Sequence, residues 1–141
     1  MTDIEHMVSI IIKICRSDQL IVAAYLFGSA ASRKMRPASD IDLAILVERN
    51  HEDSFPLLAF AASLERECGR PVDLVLINRA GEVLKHQIRR CGRLIFERNS
   101  SKRKAFEING RKLYEDFLYL HRNYVRMVLY AGNGQREKAG G

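Results

Sequence analysis

The sequence predicts an α/β fold, a small mixed β-sheet flanked by helices with a long helix at the C-terminal end. Three observations point there. Short apolar runs alternate with amphipathic stretches, the runs stop at Gly or Pro, and the last part of the chain keeps helical periodicity. In order, Ile4, Met7, Val8, Ile11, Ile12 and Cys15 recur at i, i+3 and i+4, so residues 3 to about 17 predict an amphipathic helix with Thr2 or Asp3 as N-cap. Leu20 to Phe27 is apolar throughout and ends at Gly28, which predicts a buried strand delivering the chain to a tight turn. A short helix is expected from Ser29, broken by Pro37 and Ser39, and Ile41 to Val47 predicts a second buried strand.

Asp53 or Ser54 is expected to cap a helix carrying Leu57, Phe60, Ala61 and Leu64, which Gly69-Arg70-Pro71 ends before a third strand, Val72 to Ile77. A helix from about Gly81 to Arg90 leads through Gly92 to a fourth strand, Arg93 to Glu97. The last helix is placed at about Arg103 to Tyr130, with Phe106, Leu113, Phe117, Leu120, Tyr124, Met127 and Val128 near one face, packed on the sheet or on a partner. One domain over residues 1–131 and a flexible, Gly-rich and charged tail over 132–141 are expected.

Hydrophobic residues make up 47% and charged residues 28% of the 141, the balance of an ordinary globular chain. No segment approaches the roughly 20 apolar residues that span a bilayer, and the start of the chain lacks the basic region of a signal peptide, so a cytoplasmic protein is expected. Cys15, Cys68 and Cys91 have neither metal-ligand nor redox spacing and are expected to be reduced core thiols. The net charge of +6 is lopsided: residues 1–78 hold 8 Lys and Arg against 11 Asp and Glu, residues 79–141 hold 15 against 6. A basic half attracts nucleic acid, polyphosphate or an acidic protein, and charge alone does not choose among them.

The chemistry is carried by Gly28-Ser29, then Asp40-Ile41-Asp42 at the start of a strand, and Asp73 further on. Residues i and i+2 of a strand share a face, so Asp40 and Asp42 present two carboxylates together while Ile41 and Leu43 enter the core. Adjacent carboxylates repel, and such hard oxygen donors suit Mg²⁺ bridging to substrate phosphates. Asp73, between Val72 and Leu74, is a third ligand if its strand lies beside Asp42. Three carboxylates can hold two Mg²⁺ ions, the arrangement that serves in-line phosphoryl displacement. Gly28 permits close backbone approach to a phosphate, and a helix starting at Ser29 offers free N–H groups to it. The four histidines form no triad or zinc spacing. The aromatic residues of the last helix, interleaved with Arg122 and Arg126, suit a core or a partner surface better than a base-stacking platform.

Leu26-Phe27-Gly28-Ser29, the run from Arg36 to Ala44, and Val72-Asp73-Leu74 resemble the minimal nucleotidyltransferases (MNT) of the polymerase-β superfamily, in particular the MNT antitoxins encoded beside HEPN-domain toxins. The resemblance covers residues 20–97 or so. It implies that Gly28 and Ser29 bind the triphosphate of an NTP, most simply ATP, and that Asp40 and Asp42 ligate both Mg²⁺ ions. It implies further that Asp73 ligates the catalytic metal and orients or deprotonates the acceptor hydroxyl. The implied acceptor is a tyrosine of a cognate HEPN ribonuclease toxin, silenced by adenylylation in a type VII toxin–antitoxin pair, with a hetero-oligomer as the assembly. The family pattern Gly-Ser-x-x-x-Gly, with Arg before the second Gly, is broken here by Ser32 and Arg33. Two readings of Arg33 stand open, a phosphate contact replacing the lost backbone approach or a weakened nucleotide site. A non-catalytic antitoxin that neutralises by binding alone is the alternative, which the retained acids oppose. Stable nucleic-acid binding is not expected, since the basic half carries no recognised motif for it.

Overall fold

The computed structural model describes residues 3–28, 31 and 40–140. The elements run α1 (Asp3–Ser17), β1 (Ile21–Phe27), β2 (Ile41–Val47), α2 (Leu57–Cys68), β3 (Val72–Leu76), a 3-10 turn (Ile77–Arg79), α3 (Glu82–Cys91), β4 (Arg93–Glu97) and α4 (Ser100–Gly140). The short helix expected from Ser29 lies outside the described residues.

Four strands form one mixed sheet in the order β3-β2-β1-β4. β1 pairs antiparallel with both β2 and β4, and β2 pairs parallel with β3 through the α2 crossover. The central strands are sealed on both faces, as their uninterrupted apolar runs require. On one face Ile21, Leu26, Ile41, Leu43 and Ile45, all fully buried, pack under Ile11 and Cys15 of α1 and Leu64 of α2. On the other, Val22, Ala23, Tyr25, Ala44 and Leu46 pack against Ile77 and Ile88. Asn78 finishes the edge of β2: its side-chain amide accepts from Val47 N–H and donates to Val47 C=O, both at 3.0 Å, as a neighbouring strand would.

Several boundaries differ from the sequence expectation, each for a local reason. α2 begins at Leu57 behind Pro56 with no side-chain cap, so neither Asp53 nor Ser54 fills that role; the fixed φ of proline starts the helix three residues later. Asp53 instead pairs with Arg79. Gly69 does end α2 in the left-handed region (φ 68°), its N–H reaching Glu65 C=O. β3 stops at Leu76 because Ile77 enters the 3-10 turn. Cys15 is fully buried, whereas Cys68 is half-buried and Cys91 exposed at the end of α3, so only the first is a core thiol. Burial drives the Cys15 thiol up to about 12, which keeps it protonated and inert.

α4 starts at Ser100, ahead of the expected Arg103, because the Asn99 side chain caps it by accepting from Lys102 N–H at 3.0 Å. It continues to Gly140 through residues that the sequence reading placed in a tail. Its first turns are tied to the sheet. Tyr25 Oη donates to Glu107 at 2.7 Å, and Arg103 bridges Glu107 and Glu97. Burial, followed by that hydrogen bond, holds the Tyr25 phenol well above its ordinary range. Beyond these turns the helix exposes its large apolar residues, so the face predicted from Leu113 to Val128 does not cover the sheet.

Arg98 joins the two ends of the domain. Its guanidinium donates to Ile21 C=O at 3.0 Å and to the carbonyls of Cys15, Arg16 and Asp18, capping the C-terminus of α1 with a cation. Arg98→Ala should lower stability by about 1–2 kcal/mol, since several charge-assisted bonds are lost at a partly exposed site. Urea unfolding with an unchanged m-value checks this.

Candidate active site

Two strands deliver the acids to one end of the sheet, and a third brings Gly28 beside them. In the β1–β2 pairing Phe27 lies opposite Asp42, and in the parallel β2–β3 pairing Asp42 lies opposite Asp73. Neighbouring strands are about 4.8 Å apart, so the two carboxylates rise from adjacent positions on one face. That face also carries Ala44 and Leu46, which are buried. Ile41 and Leu43 point to the opposite face and are fully buried, as the alternation of a strand demands. Asp40 sits immediately before β2 and is exposed. Ile41 N–H donates to Pro71 C=O at 2.9 Å, which extends the β2–β3 ladder to the base of the acid pair.

The electrostatics agree with this placement. The Asp42 carboxyl is raised above the ordinary aspartate range, first by partial burial, then by the charge of Asp73, then by that of Asp40. Asp42 is therefore the centre of the cluster, coupled to an acid on each side. Gly28 closes it from β1. Its φ is +66°, in the left-handed region, and a Cβ placed there would overlap the Asp42 carboxylate, lying 3.2 Å from Cγ. The sequence reading assigned Gly28 to phosphate approach. The structure adds that only glycine leaves room for the Asp42 side chain. Ser29 and Arg33, the other two predicted nucleotide contacts, lie outside the described residues.

The donor set fits a divalent metal. It consists of carboxylate oxygens only, one of them flanked by two like charges that an ion would offset. Among the described residues no three His, Cys, Asp or Glu side chains already converge on a point that could hold an ion. Asp40 and Asp73, which flank Asp42, are both exposed. Mg²⁺ completes its shell with water and phosphate oxygens, so a dedicated protein cage is not required.

The family model for "Polymerase beta, Nucleotidyltransferase" matches residues 10–101, a span that holds Gly28 and all three acids. The chain belongs to the polymerase beta nucleotidyltransferase family. Solved structures share the family member's fold over nearly their whole length. A chain from a toxin–antitoxin complex with AMP-PNP is 24% identical with a TM-score of 0.73, over 86% of this chain and 98% of that one. A chain from the MntA–HepT toxin–antitoxin is 22% identical with a TM-score of 0.69, over 89% and 98%. A chain from the tri-AMPylated Shewanella oneidensis HEPN toxin in complex with MNT antitoxin is 22% identical with a TM-score of 0.70, over 89% and 98%. No curated protein matches the sequence. No helix among the described residues is long and apolar enough to cross a membrane.

Two outcomes follow from the Gly28–Asp42 packing. Gly28→Ala forces both a strained φ and a collision with the Asp42 carboxylate, so nucleotidyl transfer should drop on the order of a hundredfold or more in a labelled-nucleotide assay. Asp42→Asn should raise the melting temperature of the metal-free nucleotidyltransferase at neutral pH by a few degrees at most. The sign follows from the raised carboxyl. The native state holds a proton at a pH where the unfolded aspartate has lost it, so ionising Asp42 destabilises the fold as pH rises through that window. The gain of the Asn variant should therefore vanish in acid, where both states are protonated.

Proposed function

We propose that this nucleotidyltransferase moves AMP from ATP onto a tyrosine hydroxyl of a cognate HEPN ribonuclease toxin and so acts as the antitoxin of a type VII pair. The observation that carries the chemistry is Asp42 held between Asp40 and Asp73 with Gly28 packed against it. The likeness to complexes containing AMP-PNP and a tri-AMPylated HEPN toxin supports the choice of nucleotide and acceptor.

Asp40 and Asp42 would hold Mg²⁺ together with the triphosphate, and Asp73 would complete the coordination of a second ion beside the acceptor. When bound, the ions supply charge neutralisation at the phosphates and at the attacking and leaving oxygens. The protein's own part is positional. Gly28 keeps the end of β1 free of a side chain, so a phosphate could come close to the acid cluster, and Ser29 would be a donor to it. Asp73, exposed at the rim, takes the proton of the acceptor hydroxyl. The hydroxyl oxygen then bonds to the α-phosphorus of ATP, the bond from that phosphorus to the β-phosphate bridging oxygen breaks, and pyrophosphate leaves.

Neutralisation by binding alone is the competing reading, favoured by Arg33 standing where the family pattern has glycine. The acids weigh against it, because a pure binder has no use for three carboxylates that repel one another at a sheet end. The assay is paired: nucleotide affinity, and mass spectrometry of a co-purified HEPN-domain partner for added AMP. Wild type should add one or more AMP groups. Asp73→Asn should keep near-normal nucleotide affinity while transfer falls on the order of a hundredfold or more, since its contribution belongs to the transition state. An unmodified but tightly bound partner would favour the binding-only antitoxin, and near-normal transfer by Asp73→Asn would remove Asp73 from the reaction.

A further inference from the structure

Away from the acids, the cleft between α3 and α4 holds a charged group that the fold leaves unsatisfied. Both terminal nitrogens of Arg89 are shielded from water, without a hydrogen-bond partner among the described residues. The guanidinium lies over Gly110 of α4, where any Cβ would meet Nη1 and stand 3.4 Å from Cζ. Arg90 and Arg111 line the same cleft, with His86 stacked on Tyr114 at a centroid distance of 3.9 Å. Glu115 lines it too, yet accepts nothing from the terminal nitrogens of Arg89. Those nitrogens are closed off inside the α3–α4 contact, so the cations that a carboxylate from outside can reach here are Arg90 and Arg111, both exposed.

α4 continues from this cleft as an arm. Two contacts give its direction: Arg103 pairs with Glu97, which lies opposite Ala23, and Glu107 accepts from Tyr25, two residues closer to Phe27. Four helical residues advance about 6 Å, as do two strand residues, so α4 runs toward the end of β1 where Gly28 and Asp42 lie. Along the arm Leu113, Phe117, Leu120, Tyr124 and Met127 are 42, 37, 66, 66 and 70% exposed. Their spacing of four, three, four and three residues is the a/d seam that packs against another helix. Residues 117–130 include Arg122 and Arg126 and no acid. A second copy would therefore set arginine against arginine, and a nucleic-acid backbone would find two cations in a mostly apolar surface.

We propose that the α3–α4 face is the docking surface for the acceptor protein: an amphipathic helix of that protein lays its apolar seam on the arm and sets an acidic side chain on Arg90 and Arg111. The inference rests on the protein-modifying reading above and supplies a grip on the substrate separate from the acids.

The test uses the full chain and the purified HEPN-domain partner, comparing wild type with Leu120→Asp/Met127→Asp and with Arg90→Glu/Arg111→Glu. Partner affinity should fall about thirtyfold or more for Leu120→Asp/Met127→Asp and about tenfold or more for Arg90→Glu/Arg111→Glu. KM for the partner should rise with kcat retained, and affinity for AMP-PNP should stay unchanged, which also shows that the variants are folded. Variants that bind and label the partner as wild type does would overturn the docking surface while leaving the proposed reaction intact. A wild type that neither binds nor labels the partner would overturn both. Self-association of wild type that Leu120→Asp/Met127→Asp disperses, or sub-micromolar binding to a random DNA or RNA oligonucleotide at physiological salt, would assign the face to another occupant and overturn the proposal.

Discussion

Like charges confined to one end of a sheet are the constraint around which this domain is arranged. Asp42 and Asp73 are register partners across β2 and β3, Asp40 precedes them, and neither backbone nor core allows the three to separate far. Partial burial, then the charges of Asp73 and Asp40, raises the Asp42 carboxyl, and the two outer acids are exposed. A fold selected for stability alone would place neutral or oppositely charged pairs there. The unfavourable arrangement is offset elsewhere, by two buried faces of the central strands and by the helices that cover them.

The same sheet explains why the acids sit where they do. Positions 41, 43 and 45 of β2 are fully buried beneath α1 and α2, and positions 44 and 46 are buried on the α3 side. Only at the first turn of the strand is the second face left open, and Asp42 occupies that place. Gly28 then decides how close the end of β1 comes. With a side chain at position 28 the Asp42 carboxylate would have to move, so the glycine is what leaves room for the acid, and the proposed approach of a phosphate would use the same gap.

Much of this was legible in the residues themselves. The unbroken apolar runs of β1 and β2 place both strands to within a residue, and the i, i+2 rule puts Ile41 and Leu43 in the core with Asp42 on the other face. The neighbourhood of Asp42 and Asp73 was legible only as a condition, because register across a parallel crossover depends on how α2 packs, and no local signal encodes it. The cap of α4 was missed since Asn99 is followed by two serines and a lysine rather than by an apolar run. The network of Tyr25, Arg103 and Glu107 and the anchoring by Arg98 join residues some 80 positions apart, beyond the reach of periodicity. In the sequence Arg89 is one of the 15 Lys and Arg of the basic half, and its burial over Gly110 emerges only when α3 and α4 are packed together.

α4 departs most from an ordinary domain, with its first turns fastened to the sheet and its later apolar residues in water. A small catalytic core joined to an exposed, basic helix suits an enzyme whose acceptor is itself a folded protein. That view depends on the acid cluster binding metal and nucleotide together. Calorimetric titration of Mg²⁺ with a non-hydrolysable ATP analogue tests it most directly. The account predicts that each ligand strengthens the binding of the other in the wild-type chain and that this coupling is lost in Asp42→Asn. Heats that are the same for wild type and Asp42→Asn would contradict it.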